Sequence, residues 1–238
     1  APELLQKARQ SRLPVLATYG LTETCSQVVT QSLSSQDTDN AGHAIFPTSI
    51  RIASLPSKEK PSKEKPSKEK TIGEILVKGP TVFQGYWQEN AAPIFPGQDG
   101  WLSTGDLGYL DAHHRLHVVG RIKDLIVRGG ENISPLEIEQ ILMRHPDIED
   151  AAVIGQPDAH WGEIVAAVVV AKHVMDAADL RRFLRQFLAK YKIPTVFYAA
   201  DELPRTASGK LQHHRVQEML ASGIWLPLPE TEFERKQD

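Results

Sequence analysis

Residues 103–124 read STGDLGYLDAHHRLHVVGRIKD, and they decide how the chain is organised. Two strand-like segments flank the polar residues 111–114, which predicts a β-hairpin with its turn at those positions. A hairpin returns its two ends to the same place, so Asp106 and Arg121 should be neighbours. Such neighbours form either a structural ion pair at the base of the hairpin or part of a polar site.

The pattern of apolar and polar residues changes after Gly120, from strands alone to a mixture of helices and strands. We therefore expect a domain boundary near residues 120–124. Short apolar or alternating segments before it predict strands at 15–19, 45–53 and 73–78. Helical and strand patterns mix after it, as in a small α+β unit. The predicted helices there are 134–144, which opens with the capping box SPLE, 176–189 and 212–220, and the predicted strands are 150–154, 164–171 and 195–198.

The pentapeptide PSKEK occurs three times in succession over residues 56–70. The repeat lacks apolar side chains, so it cannot offset its ordering entropy by burial. We expect an expanded hairpin tip between two strands, and a basic docking arm or an interdomain linker is the alternative.

Composition is that of a globular protein: 238 residues, 41% hydrophobic, with a formal net charge of -3. No basic excess points to nucleic acid. The longest apolar stretch, 164–171, is too short to span a bilayer, so no transmembrane segment is expected. The single cysteine excludes an intramolecular disulfide and favours an intracellular, cytoplasmic setting. The chain starts at Ala1 without Met, so we expect a portion of something longer, and nothing indicates an oligomeric state.

Four stretches combine glycines with polar side chains, and each alone is compatible with an ordinary turn. They are TYGLTET (18–24), STGDLGYL (103–110), GRIKDLIVRGGENISP (120–135) and PRTASGK (204–210). In this order they resemble the adenylate-forming, AMP-binding superfamily of acyl-CoA synthetases, luciferases and peptide-synthetase adenylation domains. The resemblance covers the chain except the repeat and the residues after about 222.

The resemblance implies a fold of α/β and α+β class. Residues 1–120 would be the C-terminal part of the large AMP-binding domain, a strand plus a β-barrel-like subdomain. Residues 121–238 would be the small, mobile C-terminal domain, with a hinge at 120–124 around Lys123. The Ser/Thr/Gly-rich phosphate loop of the family would lie upstream of this chain.

The implied activity is that of an acid–thiol ligase, which joins a small carboxylic acid to CoA through an acyl-adenylate and uses ATP and Mg²⁺. The segment TYGLTETCSQVVT is most like that of the o-succinylbenzoate–CoA ligases of menaquinone or phylloquinone synthesis. Another aryl or fatty acyl-CoA synthetase, or a non-catalytic fragment without the phosphate loop, is the alternative.

The turn after the first strand would bind the nucleotide. By resemblance, Tyr19 stacks on adenine, and Gly20 lets the backbone come close. Thr22 would bond the α-phosphate, and Glu23 would hold Mg²⁺ as a hard oxygen ligand.

The resemblance also assigns the hairpin base and the lysine of the last motif. Asp106 would accept the ribose hydroxyls, and Arg121 would reach the ribose or a phosphate. Lys210, a compact charge on a long stem carried by a flexible loop, would bridge the carboxylate and the α-phosphate during adenylation. The alternative for Lys210 is an ordinary solvated loop lysine.

The glycine pair Gly129 and Gly130, followed by Glu131, would face CoA after the small domain rotates about Lys123. The alternative is a tight turn that needs positive φ at two glycines, and both can hold at once. Cys25 is expected to be a small packed residue and Trp161 a packed one. The histidine pairs 113–114 and 213–214 are expected to be solvated and without carboxylate partners.

Overall fold

The computed structural model describes residues 2–54 and 72–230, with side chains from Leu5 onward. The PSKEK repeat lies outside the described residues. The chain divides into two compact units, Ala1–Ile122 and Lys123–Asp238. The division falls within the segment where the sequence changes character. That the units are a large-domain portion and a mobile small domain stays a prediction.

The first unit is mostly antiparallel β-structure. Its elements are α1 (Pro2–Gln10), β1 (Thr18–Leu21), β2 (Ser26–Thr30), β3 (His43–Ala44), β4 (Ser49–Ser54), β5 (Gly73–Lys78), β6 (Tyr86–Gln88), β7 (Ala91–Ile94), β8 (Gly97–Gln98), β9 (Trp101–Leu110) and β10 (Leu116–Arg121). Strands β1-β2-β3 form one sheet, β10-β9-β5-β4 form a second with β8 beside β9, and β6 pairs with β7.

The core of the first unit lies between its two larger sheets. Apolar side chains from β2 and β5 are fully buried there, together with Leu116 of β10. In the described residues the five-stranded sheet is open, so the barrel-like part of the expected fold is not a closed barrel. The α/β and α+β class is otherwise confirmed.

Two strands of the first unit begin later than predicted. The backbone N–H of Ala17 donates to the side chain Oε1 of Gln31, so regular pairing starts only at Thr18. Strand β4 starts at Ser49 because a turn precedes it, closed by the bond from Thr48 N to Ile45 O.

The second unit is a mixed sheet with helices on both faces. Its elements are β11 (Ile126–Arg128), β12 (Glu131–Ile133), α2 (Pro135–Leu142), β13 (Ile148–Asp158), β14 (Gly162–Ala171), α3 (Ala177–Leu184), β15 (Val196–Ala199) and α4 (His213–Ala221). The strand order is β12-β11-β14-β13, and β15 runs parallel to β14.

Successive side chains of β13 and β14 point to opposite faces of this sheet, and helices pack against both faces. Side chains such as Val153 and Val165 point to one face, in a cluster with the apolar residues of α2 and α3. Their neighbours Ile154 and Ala166 point to the other face, where Val216 and Leu220 of α4 pack. The strands therefore read as continuous apolar runs because both faces are buried.

Helices α2 and α3 are shorter than predicted, α4 begins and ends one residue later than predicted, and the predicted capping box is wrong. Ser134 precedes α2 but makes no side-chain capping bond, and Glu137 instead binds Lys192 at 2.7 Å. Asp176 caps α3 by accepting from Ala178 N at 2.7 Å. Among the described residues, no helix is long and apolar enough to cross a membrane.

Candidate functional site

The TYGLTET motif forms the whole of β1 and a single helical turn, Thr22–Thr24. Thr24 is buried, and its hydroxyl accepts from Leu21 N at 2.9 Å and lies 2.8 Å from the Ser26 carbonyl oxygen. The turn is thereby fixed from inside the protein. Thr22 remains exposed on its surface, where a ligand could reach its hydroxyl.

Gly20 is required by the neighbouring strand. A Cβ atom at this position would lie 1.9 Å from the carbonyl oxygen of Ser26 on β2, far inside van der Waals contact. The family resemblance assigns this glycine to the close approach of a ligand. Strand packing alone explains the glycine, and the ligand role stays a prediction.

Asp106 and Arg121 are neighbours, as the hairpin geometry predicts. They are register partners in the β9–β10 pair, and Arg121 Nε lies 2.7 Å from Asp106 Oδ1. The other carboxylate oxygen, Oδ2, accepts from the Tyr19 hydroxyl at 2.8 Å. A side chain from β1 and the two ends of a distant hairpin thus meet at one carboxylate, which is 5% exposed.

Electrostatics keep the Tyr19 phenol protonated. Burial raises the pKa of Tyr19 well above its ordinary value, and the Asp106 carboxylate raises it further. Tyr19 is therefore a permanent hydrogen-bond donor that, with Arg121, orients the carboxylate. Each carboxylate oxygen has a second lone pair, so Asp106 keeps acceptor capacity for a ligand hydroxyl.

Two residues of this site were missed by sequence reasoning. Tyr86, on β6, donates its hydroxyl to Glu23 Oε1 at 2.7 Å, and the backbone of Phe83 donates to the Glu23 carbonyl at 2.8 Å. Thr104 accepts from Asp106 N at 3.1 Å and donates to the Ile75 carbonyl. Only Thr104 left a local signal, because a threonine two residues before an aspartate is typical of a side-chain-closed turn.

Glu23 is suited to hold a cation. The hydrogen bond from Tyr86 is the main cause that lowers the pKa of Glu23, and Arg121 lowers it further. The carboxylate is therefore ionised at neutral pH, as a hard divalent cation requires. Among the described residues, no group of three or more His, Cys, Asp or Glu side chains could hold a metal ion.

Lys210 lies in the second unit, on a turn that is closed by hydrogen bonds. The backbone N–H of Thr206 donates to the Lys210 carbonyl at 2.8 Å, and Lys210 N donates back to Thr206 Oγ1 at 3.0 Å. Gly209 supplies the positive φ of 82° that the turn needs. Lys210 is exposed directly after Gly209, so the expected exposed lysine on a Gly-containing loop is present, and its catalytic role stays a prediction.

Lys123 opens the second unit, within the helical turn Ile122–Asp124. Gly129 and Gly130 connect β11 to β12 with φ of 57° and 90°, so the tight-turn interpretation is correct. Glu131 is exposed beside them. Their roles as hinge and CoA-side loop stay predictions.

Three local expectations are wrong. Cys25 is exposed with a φ of 57°, because it ends the helical turn in the left-handed conformation. Trp161 is 46% exposed, although its ring lies against Gly129. His213 does have a carboxylate partner, with Nε2 at 2.7 Å from Glu139 Oε1.

Comparison with known proteins identifies relatives for both units. The family model described as AMP-binding enzyme matches residues 1–87, and that described as AMP-binding enzyme C-terminal domain matches residues 137–210. The 2-succinylbenzoate–CoA ligase of Bacillus velezensis is 44% identical over 218 residues, which is 91% of this chain and 43% of the relative. That of Bacillus subtilis is 41% identical over 217 residues, again 43% of the relative.

Solved structures give the same result. The o-succinylbenzoate CoA synthetase of Bacillus subtilis, in complex with its acyl-adenylate intermediate, matches with a TM-score of 0.75 and 41% identity. The match covers 91% of this chain and 43% of that one. ATP-bound MatB from Rhodopseudomonas palustris matches with a TM-score of 0.72 and 37% identity, over 86% of this chain and 40% of that one. The chain thus spans about 43% of the length of the curated relatives it matches.

Proposed function

Because the chain belongs to the AMP-binding enzymes, we propose that it is the C-terminal portion of an AMP-forming acid–CoA ligase. The acid that we propose is o-succinylbenzoate, which would assign the enzyme to menaquinone or phylloquinone synthesis. The observation that carries the proposal is the carboxylate of Asp106, held by Tyr19 and Arg121 in the unit that also displays Thr22 and Glu23.

The first unit would bind the nucleotide. The ring of Tyr19 would stack on adenine, with the backbone at Gly20 alongside. Asp106 would accept the ribose hydroxyls, and Arg121 would neutralise charge on the ribose–phosphate side. Thr22 would donate its exposed hydroxyl to the α-phosphate. The ordered donors around Asp106 support this role, because a preorganised carboxylate needs no rearrangement when the ligand arrives.

Magnesium would be held by Glu23 together with phosphate oxygens. The ion usually takes one or two protein carboxylates and completes its shell with phosphates and water, so a single ionised glutamate is compatible with it. When bound, Mg²⁺ would neutralise phosphate charge. Tyr86 would orient the carboxylate that receives it.

Two steps make up the proposed reaction. A carboxylate oxygen of the acid attacks the α-phosphorus of ATP, forming acyl-AMP while pyrophosphate leaves. The CoA thiol, losing its proton, then attacks the acyl carbonyl carbon, and AMP leaves with the electron pair of the broken bond. Lys210 would neutralise charge in the first step, and the Gly129–Gly130 turn with Glu131 would face CoA in the second, after rotation at Lys123.

A different acid is the second candidate. ATP-bound MatB is nearly as similar to this chain as the o-succinylbenzoate enzyme, with TM-scores of 0.72 and 0.75. We favour o-succinylbenzoate because 2-succinylbenzoate–CoA ligases match at 44% and 41% identity. ATP and CoA as co-substrates, and the single cysteine, support a cytoplasmic setting.

A pyrophosphate-release assay tests the proposed function. The full-length gene product is given ATP, Mg²⁺ and a panel of aromatic and aliphatic acids, with and without CoA. We expect release with o-succinylbenzoate at the highest kcat/KM. Preference for another acid would support the second candidate, and no release with any acid would contradict ligase activity.

Lys210→Ala tests the role of the lysine. We expect acyl-adenylate formation to fall by about 10²–10³-fold, because one preorganised charge is lost from the transition state. Thioester formation from preformed acyl-adenylate should stay largely intact. Lys172→Ala, which removes a lysine of the same unit that binds the Pro146 carbonyl, is the control. Equal loss of both half-reactions would contradict a role for Lys210 in the adenylation step alone.

A further inference from the structure

The turn that carries Lys210 is closed on itself. The Gln212 N–H donates to the Pro204 carbonyl at 3.0 Å, and Arg205 pairs with Leu211 in an isolated β-bridge. With the Thr206–Lys210 bonds described above, the backbone from 204 to 212 is a small closed element. The position of Lys210 therefore depends on how this element is attached to the sheet of the second unit.

One attachment lies at the beginning of the turn. Arg205 contacts both carboxylate oxygens of Asp150, a residue of β13, with Nη2 at 2.7 Å from each. Nε also donates to Asp150 Oδ2 at 3.1 Å, and the third nitrogen, Nη1, donates to the carbonyl of Gly209 at 2.7 Å. A single guanidinium thus ties the residue before Lys210 to the sheet, which is a geometry that planar, multidentate arginine provides and lysine does not.

The other attachment lies just after the turn. His213, the first residue of α4, contacts Glu139 Oε1 of α2 at 2.7 Å. The same oxygen accepts from the backbone N–H of Val153 on β13 at 2.8 Å, and Glu139 is buried. This carboxylate therefore joins two helices and a strand, and removal of its histidine partner would leave a buried charge with one donor fewer.

Charges around His213 make this second attachment sensitive to protonation. The hydrogen bond to Glu139 is the main cause that raises the pKa of His213. Burial lowers it, the Asp124 carboxylate raises it, and the Lys123 ammonium lowers it. As the pH rises through this raised pKa, His213 loses its positive charge, so the ion pair with Glu139 becomes a weaker hydrogen bond from a neutral imidazole.

We infer that Arg205–Asp150 and His213–Glu139 are two anchors that position Lys210, and that the histidine anchor makes the lysine-dependent step pH-sensitive. The inference rests on the proposed adenylation role of Lys210. Partly exposed ion pairs such as Arg205–Asp150 contribute little to stability. Placement is a more demanding requirement, because a misplacement of about 1 Å at a reacting group costs on the order of 10²-fold in rate.

Arg205→Lys tests the first anchor in the full-length enzyme. The variant keeps the charge but cannot bind Asp150 and Gly209 together. We expect the kcat of acyl-adenylate formation to fall about tenfold or more, with the KM for ATP and the thioester half-reaction nearly unchanged. Glu218→Gln is the matched control, because it breaks the exposed 3.7 Å pair with Arg215 on α4. Wild-type adenylation by Arg205→Lys would overturn the anchor.

His213→Gln and His213→Arg test the second anchor. Wild-type adenylation should decline as the pH rises through the pKa of His213. Glutamine should be slower at neutral pH without that decline, whereas arginine, charged throughout, should restore the rate and abolish the decline. His214→Gln, at the exposed neighbouring position, is the control. A pH profile that is the same in all four proteins would overturn the inference.

The folding of the His213 variants and the activity of Lys210→Ala together show whether the proposed role of Lys210 or the positioning inference has failed. If His213→Gln unfolds, the arginine variant and Arg205→Lys still give the kinetic answer. If Lys210→Ala adenylates normally, the proposed function of the lysine fails. If Lys210→Ala is inactive while both anchor variants match the wild type, only the positioning inference fails.

Discussion

Single residues in this protein meet structural and chemical demands at the same time. Asp106 is buried because it accepts from Tyr19 and Arg121, and those donors also orient it for a ligand. Gly20 lies in the proposed nucleotide turn, yet the carbonyl of Ser26 alone requires it to be glycine. Their replacement would therefore affect folding as well as binding.

Gly20→Ala should be strongly destabilising. The new Cβ would lie 1.9 Å from the Ser26 carbonyl oxygen, so backbone must shift, at a cost of about 1–3 kcal/mol or more. Gly105→Ala is the matched control, since nothing lies within 4 Å of the point where its Cβ would stand and only its positive φ of 71° is strained, by about 1–2 kcal/mol. Urea unfolding measures both, and a larger loss for Gly105→Ala would contradict the steric argument.

At the scale of elements, short turns decide which side chains meet. The β9–β10 hairpin brings Asp106 opposite Arg121, and its own turn is closed by Asp111. Asp111 Oδ1 accepts from His113 N and Arg115 N, both at 2.9 Å. The ion-pair site at one end of the hairpin therefore depends on a carboxylate at the other end.

Asp111→Ala should destabilise the hairpin in a pH-dependent way. Burial raises the pKa of Asp111, but hydrogen bonds from Arg115 and His113 outweigh it and hold the pKa well below the ordinary value. The stabilisation is therefore present above a pH of about 4 and is lost as the pH falls through the folded value. We expect a loss of about 1–2 kcal/mol at pH 7 from the broken bonds.

Unfolding curves from pH 7 down to pH 3 measure this effect. The difference between wild type and Asp111→Ala should shrink as the pH falls. Glu89→Gln, at an exposed position of the same unit, should leave stability nearly unchanged. If the difference in the free energy of unfolding between the two proteins is constant with pH, the loss of stability comes from packing and not from the ionised carboxylate.

At the scale of the whole molecule, each unit has apolar cores of its own. The first unit buries one cluster, which includes Val77, and the second buries a cluster on each face of its sheet, one of which includes Leu180. Each unit therefore has the means to stabilise itself, because apolar burial is the main favourable contribution to folding.

Leu180→Ala should destabilise the second unit by about 2–5 kcal/mol, since the side chain is fully buried and leaves a cavity. Amide hydrogen exchange should show faster opening in residues 123–230, with little change in residues 72–122. Val77→Ala should produce the reverse pattern. Equal acceleration in both ranges for each variant would mean that the units unfold as one.

Sequence pattern was sufficient where neighbours in the chain are neighbours in space. Short apolar runs predict β13 and β14, although β13 extends beyond the predicted 150–154, and the hairpin predicts the meeting of Asp106 and Arg121. The capping box at Ser134 failed, because Glu137 binds Lys192 instead of the helix terminus. Local motifs predict which bonds can form, whereas the fold decides which partner is nearer.

By itself, the sequence predicted a boundary near residues 120–124 and an α+β unit after it, since these follow from its apolar patterning, and its resemblance to the AMP-binding superfamily implied the motif residues. Only the tertiary structure decided that Tyr86 holds Glu23 and that His213 binds Glu139, since each pair is joined across more than sixty residues of chain. It also decided that Lys210 sits on a closed turn. The physical reason is that such contacts depend on how strands and helices pack, and no local pattern encodes that arrangement.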